Sequence, residues 1–146
     1  MASVLILNGP NLNLLGTRQP DIYGNATLSD VEDLCRDTAL EFAMEVECIQ
    51  SNHEGALVDA IQAARGVHNG LVLNAGAYSH TSIALADAIV GTEMPTIEVH
   101  VSNIHAREAY RHNSMITPVA VGIISGLGVQ GYSLAIRALA EHLSVL

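Results

Sequence analysis

The sequence predicts an α/β fold in which helices cover both faces of a parallel sheet. Two observations support this prediction: five short runs rich in β-branched and aliphatic residues recur along the chain, and helical patterns fall between them. Such alternation is typical of a parallel sheet, because each strand needs a crossover connection to reach its neighbour. The 146 residues, 49% of them apolar, fit one domain that spans residues 1–146 and buries a sizeable core.

The predicted strands occupy residues 3–8, 44–51, 70–77, 95–102 and 118–126. The predicted helices occupy residues 27–42, 53–65, 79–90 and 132–146. The first helix begins with Thr27 or Ser29 as its cap, carries carboxylates in its first turns and repeats apolar residues along one face. The second and third helices end at Gly66 and Gly91, since glycine is the usual residue just past a helix end.

Five strands in a chain of this length favour a three-layer, flavodoxin-like architecture with the strand order 2-1-3-4-5. In such sheets the site lies beyond the carboxyl ends of the strands, next to the switch point between strands 1 and 3. The polar residues that follow the predicted strands are Asn8, Asn11, Ser51, Asn52, His53, Asn74, His100, Ser102 and Asn103. We therefore expect the functional residues at this edge of the sheet.

The charge composition narrows the function. Six basic residues against 15 acidic ones give a formal net charge of -9, which argues against nucleic acid or an anionic membrane as a partner. All of the basic residues are arginines, so the chain has neither an imine-forming lysine nor a P-loop lysine. Because only 14% of the residues are charged, we expect part of the surface to be buried against other copies in a homo-oligomer.

No targeting or membrane segment is apparent in the sequence. The N-terminal apolar run has no basic region and no small-residue cleavage site, and the longest uncharged stretch, 113–135, is broken by Pro118 and several glycines. Cys35 and Cys48 show no CxxC or metal-ligand spacing and are interpreted as packed thiols. We therefore expect a cytoplasmic protein without a membrane span.

The run at 95–102 is the most informative of the predicted strands. Aliphatic residues alternate along it with Glu98, His100 and Ser102, so these three side chains share one face. A carboxylate two residues before a histidine on the same face orients the imidazole and favours its cation, which suits a general acid. The alternative interpretation is an edge strand with one face in water.

The loop after the first strand, NGPNLNLLGTRQPDIYG at 8–24, combines turn residues with two side chains that suit proton transfer. Glycines bracket the segment and Pro20 stiffens its middle, a pattern that we interpret as a lid carrying Arg18 and Tyr23. A guanidinium beside a tyrosine favours the phenolate, which is a proton-abstracting base. The alternative is an ordinary surface loop whose arginine and tyrosine make only surface contacts.

Asn74 and several histidines are further candidates for binding roles. Asn74 falls between a strand end and a helix start, where its amide favours an anionic or hydroxylated ligand; an ordinary turn asparagine is the alternative. Four histidines, His80, His100, His105 and His112, lie in the second half of the chain without the spacing of a metal site. We therefore expect neither a metal nor another cofactor.

Four segments together resemble the type II 3-dehydroquinate dehydratase (type II dehydroquinase) family. They are NGPNLNLLGTRQPDIYG, NAGAYSHTS, IEVHVSNIHAREAYRHNS and GLGVQGY, and they follow the family's order and spacing nearly end to end. The resemblance implies a hydro-lyase that converts 3-dehydroquinate to 3-dehydroshikimate in the shikimate pathway of aromatic amino acid biosynthesis. It also implies an anti elimination through an enolate, with no metal and no covalent intermediate, in agreement with the lysine-free composition.

The resemblance implies a role for each matching residue. Tyr23 is the base that takes the proton next to the ketone, Arg18 tunes it, and Asn11 supports the enolate oxygen through a water. His100 donates a proton to the departing hydroxyl and Glu98 orients His100. The residues implied to hold the substrate carboxylate and hydroxyls are Asn74, His80, Arg111 and the backbone at Val101 and Ser102.

Asp87 lies in the middle of a predicted helix, and its position alone indicates a solvated carboxylate. The resemblance implies instead that it reaches into the site of an adjacent subunit in a trimer, and that four trimers form a dodecamer. The residues by themselves leave two other functions open. One is a non-catalytic flavodoxin-like module that binds an anionic metabolite or flavin, and the other is a metal-dependent hydrolase that uses the histidines.

Overall fold

The computed structural model describes residues 1–144, in which five strands form one parallel sheet. The strands are β1 (Ser3–Asn8), β2 (Glu45–Gln50), β3 (Gly70–Asn74), β4 (Thr96–His100) and β5 (Gly122–Ser125). They lie in the order β2-β1-β3-β4-β5, and each neighbouring pair is parallel. The predicted α/β class and the strand order 2-1-3-4-5 are confirmed.

The helices are α1 (Pro20–Tyr23), α2 (Leu28–Leu40), α3 (Glu54–Ala64), α4 (Ile83–Thr92) and α5 (Gln130–His142). Thr27, and not Ser29, caps α2, because its hydroxyl accepts from the Asp30 N–H while the Asp30 carboxylate accepts from the Thr27 N–H. Residues 145 and 146 of the predicted last helix lie outside the described residues. No helix within residues 1–144 is long and apolar enough to cross a bilayer.

The helices pack on both faces of the sheet and give three layers. α2 and α5 pack together over one face, and α3 and α4 pack together over the other. In β1, Val4 and Ile6 join the core under α2 and α5, whereas Leu5 and Leu7 join the core under α3 and α4. All four side chains are buried, because successive residues of a strand point to opposite faces and helices cover both.

β4 is an interior strand between β3 and β5, and each of its residues is buried. The alternative of an edge strand with one wet face is therefore wrong. The connection from β4 to β5, residues 101–121, contains three 3-10 turns and no α-helix, and none of the four predicted helices falls there. This stretch has no apolar periodicity that would hold a helix against the sheet.

The carboxyl ends of β1 and β3 lie in close backbone contact at the edge of the sheet where the functional residues are predicted. Asn8 pairs with Asn74 in the strand register, and the Gly9 N–H donates to the Asn74 carbonyl at 2.8 Å. A Cβ atom at Gly9 would lie 2.5 Å from the carbonyl oxygen of Ala75, nearer than non-bonded atoms approach. Glycine is therefore required at position 9 for the two strand ends to meet.

We predict that Gly9→Ala lowers the free energy of unfolding by about 1–3 kcal/mol, the usual cost of forcing a methyl group into packed backbone. Gly55→Ala in α3 is the matched control, because a Cβ atom there meets nothing within 4 Å. That control should match the wild type or gain up to about 1 kcal/mol from helix propensity. Urea unfolding at one protein concentration compares the three proteins. Equal stability of Gly9→Ala and Gly55→Ala would contradict the prediction.

Candidate active site

A cavity of about 160 Å³ opens at the carboxyl edge of the sheet, beside the ends of β3 and β4. The predicted site residues that line it are Asn11, Arg18, Tyr23, Asn74, His80, His100, Val101, Ser102 and Arg111. The remaining wall is formed by Pro10, Leu12, Gly76, Ala77, Ile104 and Arg107. The structure thus brings residues from the loop after β1, the end of β3 and the β4–β5 connection into one small polar space.

Tyr23, the last residue of α1, is held by two arginines. Its hydroxyl oxygen accepts a hydrogen bond from Arg107 Nη1 at 2.7 Å. Arg18 does not make this contact; its Cζ lies 4.7 Å from the centre of the Tyr23 ring. Because a guanidinium has only donors, the Tyr23 oxygen is the acceptor in this contact. Arg107 therefore holds the Tyr23 hydroxyl in place, while Arg18 packs over the ring.

Glu98 and His100 are neighbours on one face of β4, and both are buried. His100 Nε2 lies 2.5 Å from Glu98 Oε2. Ser114 Oγ also donates to Oε2, at 2.6 Å, and Thr117 Oγ1 donates to Oε1 at 2.5 Å. Each carboxylate oxygen therefore has at least one donor, which is the condition for burying a charge without a large cost.

The ionisation of Glu98 determines which ring nitrogen of His100 donates to it. Burial alone would raise the pKa of Glu98, but the hydrogen bonds from His100, Ser114 and Thr117 outweigh it and hold the pKa below the ordinary value. An ionised Glu98 only accepts, so His100 Nε2 carries the proton of this hydrogen bond. Nδ1 is then the ring nitrogen that the contact with Glu98 does not use.

His80 stacks against His100 at the wall of the cavity. The two ring centres lie 6.1 Å apart and the planes differ by 20°. His80 Nδ1 donates to the carbonyl oxygen of Asn113 at 2.8 Å. Asn113 belongs to the same stretch as Ser114 and Thr117, so one short segment of the β4–β5 connection positions both histidines. We call residues 113–117 the support segment.

The cavity concentrates positive charge in an acidic protein. The side chains of Arg107 and Arg111 are only 14% and 19% exposed, and the Glu108 carboxylate lies 3.8 Å and 3.0 Å from their respective Nε atoms. With Arg18, three of the six basic residues line one cavity of a chain whose net charge is -9. Such an arrangement suits a small anion, and the forked donors of arginine suit a carboxylate in particular.

Two asparagines, Asn11 and Asn74, contribute to the cavity wall. Asn11 has a left-handed backbone, with φ 68°, and its N–H donates to Asn52 Oδ1 at 3.1 Å. Asn74 ends β3, and its Oδ1 accepts from the Gly76 N–H at 3.2 Å. Asn74 therefore does make the turn contact considered as its alternative role, but it also faces the cavity.

Val101 and Ser102 follow β4 and form the backbone part of the wall. The Val101 carbonyl accepts from the Gly128 N–H at 3.1 Å, and the Ser102 carbonyl accepts from Ser125 Oγ at 3.1 Å. Ser102 Oγ also accepts from Arg107 Nη1 at 3.3 Å. These bonds tie the wall to the segment before α5 and to the arginine that holds Tyr23.

Asp87 lies outside this cavity. It sits on the exposed face of α4 and lines a separate recess between α3 and α4. Ile83 and Val90 on the same helix are 64% and 60% exposed. Within one chain, the structure does not bring Asp87 together with Tyr23 and His100, so any part that it plays at this site needs another subunit.

The four histidines of the second half separate into two pairs. His80 and His100 line the cavity, whereas His105 and His112 lie outside it with ring centres 5.9 Å apart. His112 Nε2 donates to the carbonyl of Arg107 at 2.9 Å. Within residues 1–144, no three His, Cys, Asp or Glu side chains are grouped as metal ligands. The histidines are thus not a single cluster.

Sequence reasoning missed Arg107, Ser114 and Thr117. They lie in the β4–β5 connection, whose conformation follows from side-chain contacts and not from a periodic pattern. A signal was nevertheless present, because arginines and hydroxyl residues accumulate in a stretch with no apolar face. In such a stretch the polar side chains serve contacts other than the core.

Comparison with known proteins agrees with the motifs. The family model described as Dehydroquinase class II matches residues 2–140. A 3-dehydroquinate dehydratase of Ruegeria pomeroyi is 65% identical over 144 residues, which cover 99% of this chain and 97% of that protein. A 3-dehydroquinate dehydratase of Jannaschia sp. is 59% identical over 140 residues, which cover 96% of this chain and 95% of that protein.

The fold of this chain also matches that of a solved structure. The crystal structure of a type II dehydroquinase from Butyrivibrio crossotus matches with a TM-score of 0.92 and 44% identity, over 94% of this chain and 97% of that one. The family predicted from the four sequence segments is therefore confirmed. The chain belongs to the class II dehydroquinase family.

Proposed function

We propose that the protein is a hydro-lyase of the shikimate pathway that dehydrates 3-dehydroquinate to 3-dehydroshikimate by anti elimination through an enolate. One observation carries the mechanism: a tyrosine hydroxyl held by an arginine shares a cavity with a histidine backed by a carboxylate. Elimination of water from a hydroxy ketone needs a base at carbon and an acid at the leaving oxygen. Tyr23 and His100 meet these two needs.

Tyr23 acts as the base in its phenolate form and takes the proton from the carbon next to the ketone. Arg107 donates to the phenolate oxygen and Arg18 lies over the ring, so both positive charges stabilise the base before the proton moves. The electrons of the broken C–H bond pass to the ketone oxygen and give an enolate. Asn11 supports this oxygen through a water molecule.

His100 acts as the acid on the departing hydroxyl. Its Nε2 proton is engaged by Glu98, so the proton transferred to the hydroxyl comes from Nδ1. As the C–O bond breaks, its electron pair stays on the leaving oxygen, which departs as water. The enolate electrons form the new carbon–carbon double bond and the ketone is restored. No imine is involved, because the chain has no lysine.

The other lining residues hold the substrate. Arg111 binds the substrate carboxylate with its forked donors, and the local excess of positive charge draws the anion in. Asn74, His80 and the backbone at Val101 and Ser102 bind the carboxylate and hydroxyl oxygens. The apolar wall contributed by Leu12 and Ile104 keeps water away from the reacting carbon.

Asp87 serves the site of an adjacent subunit in a trimer, and four such trimers form a dodecamer in the cytoplasm. The support is the face of α4 on which Ile83, Asp87 and Val90 follow one another at helical spacing, with both aliphatic residues exposed. An apolar face around one carboxylate is expected to pack against another copy. The free thiols Cys35 and Cys48 fit a reducing compartment.

We predict that the wild type converts 3-dehydroquinate to a product with the ultraviolet absorbance of a conjugated enone carboxylate, and that Tyr23→Phe does so at least about 10²-fold to 10⁴-fold more slowly. The variant keeps the ring and removes the base, so calorimetry should still detect substrate binding. Tyr110→Phe is the matched control, because Tyr110 is exposed and lies outside the cavity. Turnover by Tyr23→Phe at the control's rate would remove Tyr23 from the mechanism.

We predict that His100→Ala slows elimination much more than proton exchange at the carbon next to the ketone. The reason is that His100 acts after the enolate has formed, whereas exchange needs only Tyr23. Deuterium incorporation into 3-dehydroquinate, followed by NMR, measures the exchange separately from product formation. His105→Ala removes a histidine outside the cavity and should affect neither step. Equal, large losses of exchange and elimination in His100→Ala would mean that His100 acts earlier.

We predict that Tyr23→Phe and Asp87→Asn proteins restore activity to one another when they are assembled together. A site is intact when its tyrosine comes from the Asp87→Asn chain and its aspartate from the Tyr23→Phe chain. Equal, random mixing around a cyclic trimer gives about a quarter of the sites this composition. The measurement is activity after co-expression, with native mass spectrometry to confirm mixed oligomers.

A mixture of Tyr23→Phe with His100→Ala is the control for this rescue. Tyr23 and His100 line the same cavity of one chain, so every site in that mixture carries a lesion. Rescue in the control would mean that sites are not assembled as proposed. Mixed oligomers of Tyr23→Phe and Asp87→Asn without rescue, or full activity of Asp87→Asn alone, would refute the shared site.

A further inference from the structure

The hydroxyl of Tyr132 links the core of the protein to the wall of the cavity. Tyr132 lies in the first turn of α5, is fully buried and belongs to the segment GLGVQGY. Its Oη donates to Asn8 Oδ1 at 2.6 Å and accepts from Asn74 Nδ2 at 2.9 Å. Asn8 and Asn74 are the paired last residues of β1 and β3. Tyr132 itself does not line the cavity, whereas Asn74 does.

The neutral hydroxyl of Tyr132 donates one of these two hydrogen bonds and accepts the other. Burial raises the pKa of Tyr132 well above the ordinary value, so its hydroxyl stays neutral and has one proton to give. That proton goes to Asn8 Oδ1, which leaves the lone pairs of Oη to accept from Asn74. The oxygen of the Asn74 amide is satisfied separately by the Gly76 N–H.

The Asn74 amide has two orientations that differ by a 180° flip, and these contacts favour one of them. After a flip, Oδ1 would face Tyr132 Oη, whose proton is committed to Asn8, and Nδ2 would face the Gly76 N–H. Both contacts would pair like groups, two acceptors in one case and two donors in the other. In the observed orientation Tyr132 Oη takes one of the two Nδ2 protons of Asn74, and the other is able to donate to a molecule in the cavity.

We propose that Tyr132 is a positioning residue of the dehydratase, which fixes the orientation of the Asn74 amide and thereby sets the affinity for the substrate from outside the cavity. The inference rests on the proposed function, because it gives Asn74 a hydroxyl or carboxylate oxygen to bind. A tyrosine serves here because its rigid ring spans the core under α2 and α5 and delivers one hydroxyl to the strand ends. Phenylalanine would fill the same space without the hydrogen bonds.

The helix provides a matched control for this role. Ser133, the next residue, is also buried, and its Oγ lies 2.9 Å from Thr38 Oγ1 in α2. This contact joins two helices and does not reach the cavity. If buried hydroxyls of α5 matter only for stability, Tyr132→Phe and Ser133→Ala should have the same kinds of effect.

The experiment compares the steady-state kinetics of both variants with 3-dehydroquinate. In Tyr132→Phe we expect KM to rise about tenfold and kcat to stay within about a factor of two, because Asn74 binds the substrate throughout the reaction. In Ser133→Ala we expect an unchanged KM. Denaturation midpoints of both variants are measured in parallel, so that a loss of stability is not mistaken for a loss of affinity.

A double-mutant cycle with Asn74→Ala tests whether Tyr132 acts through Asn74. In the Asn74→Ala background, Tyr132→Phe should raise KM no further, because the group that it positions is gone. Effects of the two substitutions that multiply would overturn the inference, as would an unchanged KM in folded Tyr132→Phe. A wild type without turnover of 3-dehydroquinate would overturn the proposed function and this inference with it.

If Tyr132→Phe does not fold, Asn8→Ala answers the same question from the other end of the chain of hydrogen bonds. Without the Asn8 acceptor, the Tyr132 hydroxyl proton is able to turn toward Asn74, so only the Gly76 N–H still favours the observed orientation of the amide. KM should again rise while kcat stays close to the wild-type value. An unchanged KM in folded Asn8→Ala would then refute the positioning role.

Discussion

The burial of the Glu98 carboxylate is the constraint on which much of this structure depends. A charge inside a parallel sheet is tolerated only when its oxygens are bonded, and here the donors come from His100, Ser114 and Thr117. The hydroxyl donors are supplied by the long connection to β5, which therefore packs over β4 and not away from it. The same connection carries Arg107 and Arg111 to the cavity. A requirement of one buried side chain thus brings His100, the arginines of the cavity and, through Arg107, Tyr23 into one arrangement.

Periodicity and strand ends made most of the fold and much of the site predictable from the sequence. Apolar runs separated by helical patterns gave the parallel sheet, and its order placed Asn74 and His100 at one edge. The alternation of Glu98 and His100 with aliphatic residues predicted their shared face. The edge-strand alternative came from the same pattern, and only the position of β4 between β3 and β5 decides against it.

The parts that could not be predicted depend on contacts between segments without a regular pattern. Arg107 reaches Tyr23 across 84 positions of sequence, through a connection whose 3-10 turns leave no periodic trace. Arg18, five residues before Tyr23, is the partner that sequence proximity predicts for the hydroxyl, but it packs on the ring instead. Asp87 is a different case, because its proposed place at the cavity of an adjacent subunit cannot be deduced from the structure of a single chain.

The support segment also limits where insertions and deletions can be accommodated in this fold. Exposed connections without helices are usually where insertions and deletions accumulate and where foreign peptides are grafted. Residues 113–117 look like such a place, yet they hold Glu98 through two hydroxyls and His80 through a carbonyl. Length changes should therefore be tolerated at the opposite edge of the sheet, for instance around the exposed Gly66 turn, and eliminated by selection here. A circular permutation or tag insertion is best planned on that edge.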